Sequence, residues 1–497
     1  MGPRRVVVGR LRRGWRFGAG GTIVLGSALV AIGALAGGSI GQGTAASPVA
    51  AARSGVLVHP QVRAFGSSPL SAPPSGQYCL ANYGILCYGA PQIETAYDEA
   101  PLFREGLDGK GTTIVVLDSF GAPEIRQDLE VFDRAYGLPQ PPKFTILKFG
   151  HVPAYTPATP TATTWAEETG LDVEWSHAMA PGADILLVET ATAETVGLTG
   201  FPTIVNAENY VIDHHLGDVI SQSFGTGEAT FSAPGTILGL QSASVNAYRS
   251  GITVLAASGD TGPTEPETVT EVQYFPFRDV GWPASDPLVT AVGGTQLTLD
   301  ARGRQVAPAK AWNDTELLGA PAASSGGLST VFTRPSYQDG VAGVVGTRRG
   351  VPDISMSASV AGSVDVYLDL PSGGGWLPIG GTSEATPLFA GIVAIADQLN
   401  THHPLGMLDP ALYAMQAAHD PGIVNVTKGT TSVYFTTSAK KLTTSVDGFS
   451  AGAGYNLATG LGTVTAALFV HELVHAVHRV GTTVTYGDSP GSFLPTT

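Results

Sequence analysis

The chain has 497 residues, of which 43 % are hydrophobic and only 13 % charged, and its formal charge is −15. That apolar content supports a large core, either one α/β unit with tails or two to three average domains. The first acidic residue is Glu94, behind eight arginines, so residues 94–497 carry 18 basic against 41 acidic groups, a net of −23. Such a surface argues against nucleic acid or anionic lipid as partners, and its scarcity of cations suits acid exposure.

In chain order, residues 1–46 read as a secretory signal: arginines from Arg4 to Arg16, an apolar run over 22–36, then small residues. The apolar run is short for a bilayer span, and an uncleaved anchor is the other reading. After cleavage the protein is expected to be secreted, free of membrane and monomeric. Residues 47–78 form an Ala/Gly/Ser/Pro-rich linker. Residues 79–464 are expected to form a single large folded domain, and 465–497 a terminal helix and tail. Cys79 and Cys87, eight apart in an exported chain, predict one disulfide.

Strand-like apolar runs at 112–117, 185–188, 219–223, 253–257 and 289–292 alternate with helical patterns at 124–136, 167–179, 236–250 and 387–400. A last helix is predicted over 465–480. This alternation predicts an α/β fold with a parallel sheet flanked by helices. Ligands bind such sheets beyond the carboxyl ends of the strands. Asp118, residues 221–225 and residues 258–260 follow predicted strands and so share that edge.

Three patterns there carry chemistry. Gly380-Gly381-Thr382-Ser383 precedes an apolar helix, which puts a hydroxyl at the positive end of a helix dipole, with glycines leaving room for a substrate backbone. An N-capped core helix would read the same way. Glu168 and Asp172 share one helix face, where adjacent carboxyls share a proton and can serve a serine hydroxyl as base and orienter. A solvated acidic helix start is the plain alternative. Asp260, in Ser258-Gly259-Asp260-Thr261, is either an Asx turn or a carboxylic acid that donates to a developing oxyanion while protonated.

These residues, with Leu171-Asp172-Val173-Glu174-Trp175, Ser221-Gln222-Ser223-Phe224-Gly225, Ser325-Gly326-Gly327, Val351-Pro352-Asp353 and Thr459-Gly460-Leu461-Gly462, occur in an order that resembles the sedolisin (serine-carboxyl) peptidases. Those are subtilisin-fold enzymes with a Ser–Glu–Asp triad. The resemblance implies an acid-active serine-type peptidase acting on peptides or proteins, as an endopeptidase or a tripeptidyl-peptidase. It makes Ser383 the nucleophile, Glu168 the general base and acid, Asp172 its partner and Asp260 the oxyanion donor. Asp118 would extend the carboxyl network, and Ser223, Phe224 and Gly225 would line the cleft through their backbone. The family's calcium site, usually two aspartates with backbone carbonyls, matches Asn425 and Asn456 here. Both charges are gone, so the site is expected to be weak or lost and no cofactor is assured. The family's long propeptide domain is also expected to be missing, since too few residues precede Cys79.

Three other readings compete. A Ser–His–Asp subtilisin needs a histidine in a glycine-rich approach, which none of the eleven histidines has; His177 lies on the acidic helix without it. His471-Glu472-Leu473-Val474-His475 matches a zinc-peptidase pattern but lacks a third ligand at a suitable spacing. A secreted pseudopeptidase serving as a binding module would explain degraded calcium ligands, but not four intact catalytic positions.

Overall fold

The computed structural model describes residues 59–60, 63–64, 71–157, 160–192, 200–268, 273–371, 373–437 and 442–485. The expected signal segment, most of the linker and the end of the tail lie outside the described residues. Eight strands form the central sheet: β1 (Thr113–Ser119), β2 (Phe144–Phe149), β3 (Asp184–Thr190), β4 (Val219–Gln222), β5 (Thr253–Ala257), β6 (Thr290–Gln296), β7 (Lys310–Ala311) and β8 (Ile354–Ser357). Their order is β7-β6-β5-β4-β1-β3-β2, with β8 also paired to β6. Every pairing is parallel except β6 with β7.

The sheet is covered on both faces, and this explains the unbroken apolar runs of its strands. Side chains alternate across a strand. Thus Ile114 and Val116 of β1 join one apolar core with Ile185, Leu187, Val219 and Leu255. Val115 and Leu117 join another with Leu186, Val188, Ile220 and Ala256. The first core holds the long helices α1 (Ile125–Tyr136), α2 (Pro160–Met179) and, after α3 (Phe201–Asp213) and α4 (Ser242–Ser250) on the opposite face, α5 (Thr382–Leu399).

Helix α5 is buried on every side from Thr382 to Asp397 and packs against α2. Burying each of Leu388, Phe389, Ile392 and Val393 contributes roughly 1.5–3 kcal/mol, so Leu388→Ala would cost roughly 2–5 kcal/mol. Two further helices, α6 (Asp409–Ala417) and α7 (Ala466–Val480), pack together, and α7 also meets α5, with the Phe389 and Phe469 rings 5.8 Å apart. The terminal helix is therefore part of the packing of the first apolar core.

Several motifs are structural. The Cys79–Cys87 disulfide forms. The fully buried Arg349 pairs with Asp353 and also donates to the Gly350 carbonyl at 2.6 Å. Asp353 in turn accepts Leu461 N through its carbonyl at 2.8 Å, tying the Val351-Pro352-Asp353 turn to the Gly460-Leu461-Gly462 turn.

Three helix boundaries differ from the sequence reading. The pattern at 236–250 is two helices, Pro234–Leu238 and α4, parted at Gly239. Helix α2 starts seven residues earlier than 167, through a threonine-rich stretch of weak helix propensity that burial of Trp165 overrides. Glu168 and Asp172 are therefore mid-helix residues, and the solvated helix start is ruled out. Helix α5 starts at Thr382, so Pro387 lies inside it and removes the amide that would have bonded the Ser383 carbonyl.

Candidate active site

The carboxyl ends of β1, β4 and β5 bring Asp118, Ser221–Gln222 and Ser258–Asp260 to one edge, as the strand order requires. Ser383 is the second residue of α5, which enters that edge after Gly381. Gly381 has φ +147°, a conformation that side chains rarely adopt. Gly380 has a different reason from the one expected. A Cβ there would lie 2.7 Å from Val360 N, so its small size admits the protein's own backbone.

Ser383, Glu168, Asp172 and Asp260 are all buried. The Ser383 hydroxyl donates to the Ser223 carbonyl at 3.3 Å. The Ser223 hydroxyl donates to Asp172 Oδ1 at 2.9 Å. Ser223 thus links Ser383 and the carboxyl pair by its side chain as well as its backbone, where the sequence reading expected the backbone alone. Ser383 is near enough to Glu168 to draw that carboxyl's pKa down, although its hydroxyl is aimed at Ser223. Neither Glu168 oxygen accepts a hydrogen bond from the described residues, and such bonds are often loose before a ligand binds.

The dominant electrostatic fact is desolvation. Burial holds Glu168 well above the usual carboxyl range, and the nearby Asp172 and Asp118 raise it further. Asp172 is likewise held far up by burial and by Asp118, against the bond from Ser223. Asp118 is pushed up to about 7 by burial and by Glu189, its neighbour across β1 and β3, while Thr169 pulls it down. Three interacting carboxyls in one apolar setting lose their protons one at a time, because each ionisation opposes the next.

Asp260 Oδ1 accepts from Thr382 N at 2.7 Å and from Thr382 Oγ1 at 2.9 Å. Thr382 Oγ1 also accepts from Gly259 N at 3.0 Å. This clamp fixes Asp260 beside the first turn of α5, where charge develops if Ser383 attacks a carbonyl. Nothing in the sequence singles out Thr382, since a threonine next to a serine reads as an ordinary N-terminal residue. Glu384 is equally silent there: it is fully buried, and desolvation, aided by Asp260 and Asp314, raises its pKa well above normal.

The competing motifs lie elsewhere in the bonding network. His177 is buried and faces α1, with Nε2 2.8 Å from the Pro139 carbonyl and 3.3 Å from Asp133. His471 meets Glu105 at 3.1 Å, and His475 is exposed.

In the region matching the family's calcium site, both asparagines are hydrogen-bonded to the chain itself. Asn456 Nδ2 donates to the carbonyls of Gly452 and Gly454 at 3.1 and 3.3 Å, while Oδ1 accepts from Ala458 N, Thr459 N and Thr459 Oγ1. Three donors fix the orientation of the amide, so its N–H groups face the Gly452 and Gly454 carbonyls. Asn425 Oδ1 accepts from Gly454 N at 2.6 Å.

Residues 158–428 match the model of the Subtilase family. Kumamolisin of Bacillus sp. (strain MN-32) is 31 % identical over 386 residues, 75 % of this chain and 62 % of that protein. Sedolisin of Pseudomonas sp. (strain 101) is 30 % identical over 363 residues, 72 % of this chain and 57 % of that protein. The chain therefore spans about three fifths of the length of these curated relatives. The solved structure of Pseudomonas sedolisin, a serine-carboxyl proteinase complexed with two molecules of pseudo-iodotyrostatin, superposes with a TM-score of 0.64 at 26 % identity. That match covers 80 % of this chain and 99 % of the solved one.

Proposed function

We propose, from the premise that the chain belongs to the subtilase family and to its sedolisin branch, that it is an exported serine-type peptidase that works in acid. The observation that carries this reading is the string Asp172–Ser223–Ser383, built on an edge where burial raises the pKa of the neighbouring carboxyls so that the pair holds one proton between them rather than ionising fully. Ser383 attacks the scissile carbonyl and Glu168 takes its proton, with Asp172 sharing the pair's remaining proton. Protonated Glu168 then delivers its proton to the leaving amine, and water, activated by the same carboxyl, hydrolyses the acyl-enzyme. Asp260 donates to the oxyanion only while protonated, which limits activity to the acid side. The Cys79–Cys87 disulfide supports export to an oxidising compartment.

A mixed peptide library digested from pH 3 to 8 by wild type, Ser383→Ala and Glu168→Gln tests the proposal. Cleavage is expected below neutrality, with loss of at least ~10³-fold in either variant, since members of such a unit act together. Equal turnover by Ser383→Ala would refute the chemistry. Peptide capture without cleavage by wild type would instead favour the pseudopeptidase alternative.

A further inference from the structure

The Cys79–Cys87 disulfide joins a short helix, Gly76–Tyr83, to a strand, Leu86–Tyr88, that pairs in parallel with Gly362–Leu368. Cys87 lies opposite Ser363 in that register. Asp365 sits two residues further along the same strand, and one of its carboxylate oxygens lies within 4.8 Å of both sulfurs. All three residues are at most 1 % exposed.

Asp365 is a costly residue to bury. Tyr136 donates to Oδ2 at 3.2 Å, while Oδ1 has no hydrogen-bond partner among the described residues. No lysine, arginine or histidine of the described residues pairs with it. Burial accordingly holds its pKa well above the usual carboxyl range, against the bond from Tyr136. Buried carboxylates are retained where they are paired, hydrogen-bonded or bound to a metal. Here the pairing is missing and the hydrogen bonding half met. An open cavity of about 690 Å³ runs up to this place, lined by Cys87, Tyr88 and Tyr136 together with Ser75 and Gln77. Two sulfurs and one carboxylate oxygen, gathered in a buried spot beside an open cavity, are the donor set of a borderline-soft, tetrahedral cation.

We infer that Cys79, Cys87 and Asp365 form a zinc-class metal site in the reduced chain, with the fourth coordination position open to the cavity. A dithiol passes two electrons and two protons to the disulfide and becomes a disulfide itself, so the S–S bond breaks and two thiols form. The cation then replaces one proton on each sulfur and one on Asp365, and three protons leave. Bound there, it ties residues 76–88 to the strand Gly362–Leu368, a link that the disulfide alone does not make. The metal holds this segment in place in a reducing compartment, and the covalent bond holds it in an oxidising one. The inference stands apart from the peptidase reading, because none of its residues belongs to the site around Ser383.

The test uses the full chain in the Ser383→Ala form, which cannot digest itself, reduced with dithiothreitol and freed of it by gel filtration without oxygen. Cobalt(II) and then zinc are titrated at pH 7.5 into the reduced and the oxidised chain. The reduced chain should take up one cobalt ion, with thiolate-to-cobalt charge-transfer absorption and the intense visible bands of four-coordinate cobalt, and zinc should displace it. The oxidised chain should show neither. Asp365→Asn, whose folding is checked by melting its oxidised form, should weaken zinc binding at least tenfold. Cys79→Ser combined with Cys87→Ser should abolish the charge-transfer band. Should reduction loosen the fold, zinc is expected to restore the circular dichroism of the oxidised chain, and failure to restore it overturns the site. So does a reduced chain that takes up no cobalt, or one whose affinity Asp365→Asn leaves unmoved. Equal uptake by the oxidised chain would put the cation elsewhere and overturn it as well.

Discussion

Asp118→Asn offers a direct measurement of what buried acids do for this fold. The carboxyl is buried at the end of β1, and its pKa rises from 3.8 to about 7, chiefly through desolvation. A carboxyl whose pKa is higher in the folded state binds its proton more tightly there. Its contribution is therefore full below the unfolded pKa and lost as pH rises through about 7. A rise of roughly three pH units, at about 1.36 kcal/mol each, makes about 4 kcal/mol as an order of magnitude. The amide is nearly isosteric and does not titrate. In a Ser383→Ala background, which prevents self-digestion, urea unfolding should give near-equal stabilities with and without Asp118→Asn at pH 4. At pH 8 the amide variant should be the more stable by about that amount. The variant also removes a charge that raises Glu168 and Asp172, which can only deepen the difference. Parallel stability-versus-pH curves would refute the reasoning, because Asp118 would then titrate alike in both states.

Asp260→Asn keeps an acceptor for Thr382 N and gains a donor that needs no proton. Its activity should extend toward neutral pH by about a unit or more, and a profile confined to stronger acid would remove Asp260 from the oxyanion role. Ser223→Ala deletes the 2.9 Å bond that lowers the Asp172 pKa. The low-pH limb of kcat/KM should move up, with a cost to stability of about 1 kcal/mol; an unmoved limb would make that bond incidental. Melting of the wild type should be indifferent to chelator or millimolar calcium. Asn456→Asp should lower stability by roughly 2 kcal/mol, as a carboxylate meets the Gly452 and Gly454 carbonyls, and calcium should restore it. Wild-type unfolding that shifts with chelator would contradict the amide's role.

What was legible in the sequence was whatever is set by near neighbours. Short apolar, β-branched runs located the strands, and eight-residue spacing paired the cysteines. A two-glycine approach to an apolar helix marked Ser383. Less legible was whatever depends on distant partners. Helix α2 begins at Pro160 because Trp165 finds a buried place, with its ring 6.3 Å from that of Phe224, and no local propensity records that. Thr382 and Ser223 matter through bonds to Asp260 and Asp172, residues 122 and 51 positions away. Gly380 answers to a backbone contact with Val360.

The charge imbalance reads from composition as a surface property, yet the perturbed acids are interior. Glu168, Asp172, Glu174, Glu265, Glu384 and Asp397 are buried and all held well above their normal pKa by desolvation. Cation pairing relieves only a few of the buried carboxylates among the described residues: Lys148 reaches Glu189, and Arg349 reaches Asp353. An interior with so many acids and so few cations is best satisfied when the acids are protonated. The acid condition that suits the fold is also the one that the proposed activity requires, so that activity and the stability of the scaffold should fail together as pH rises.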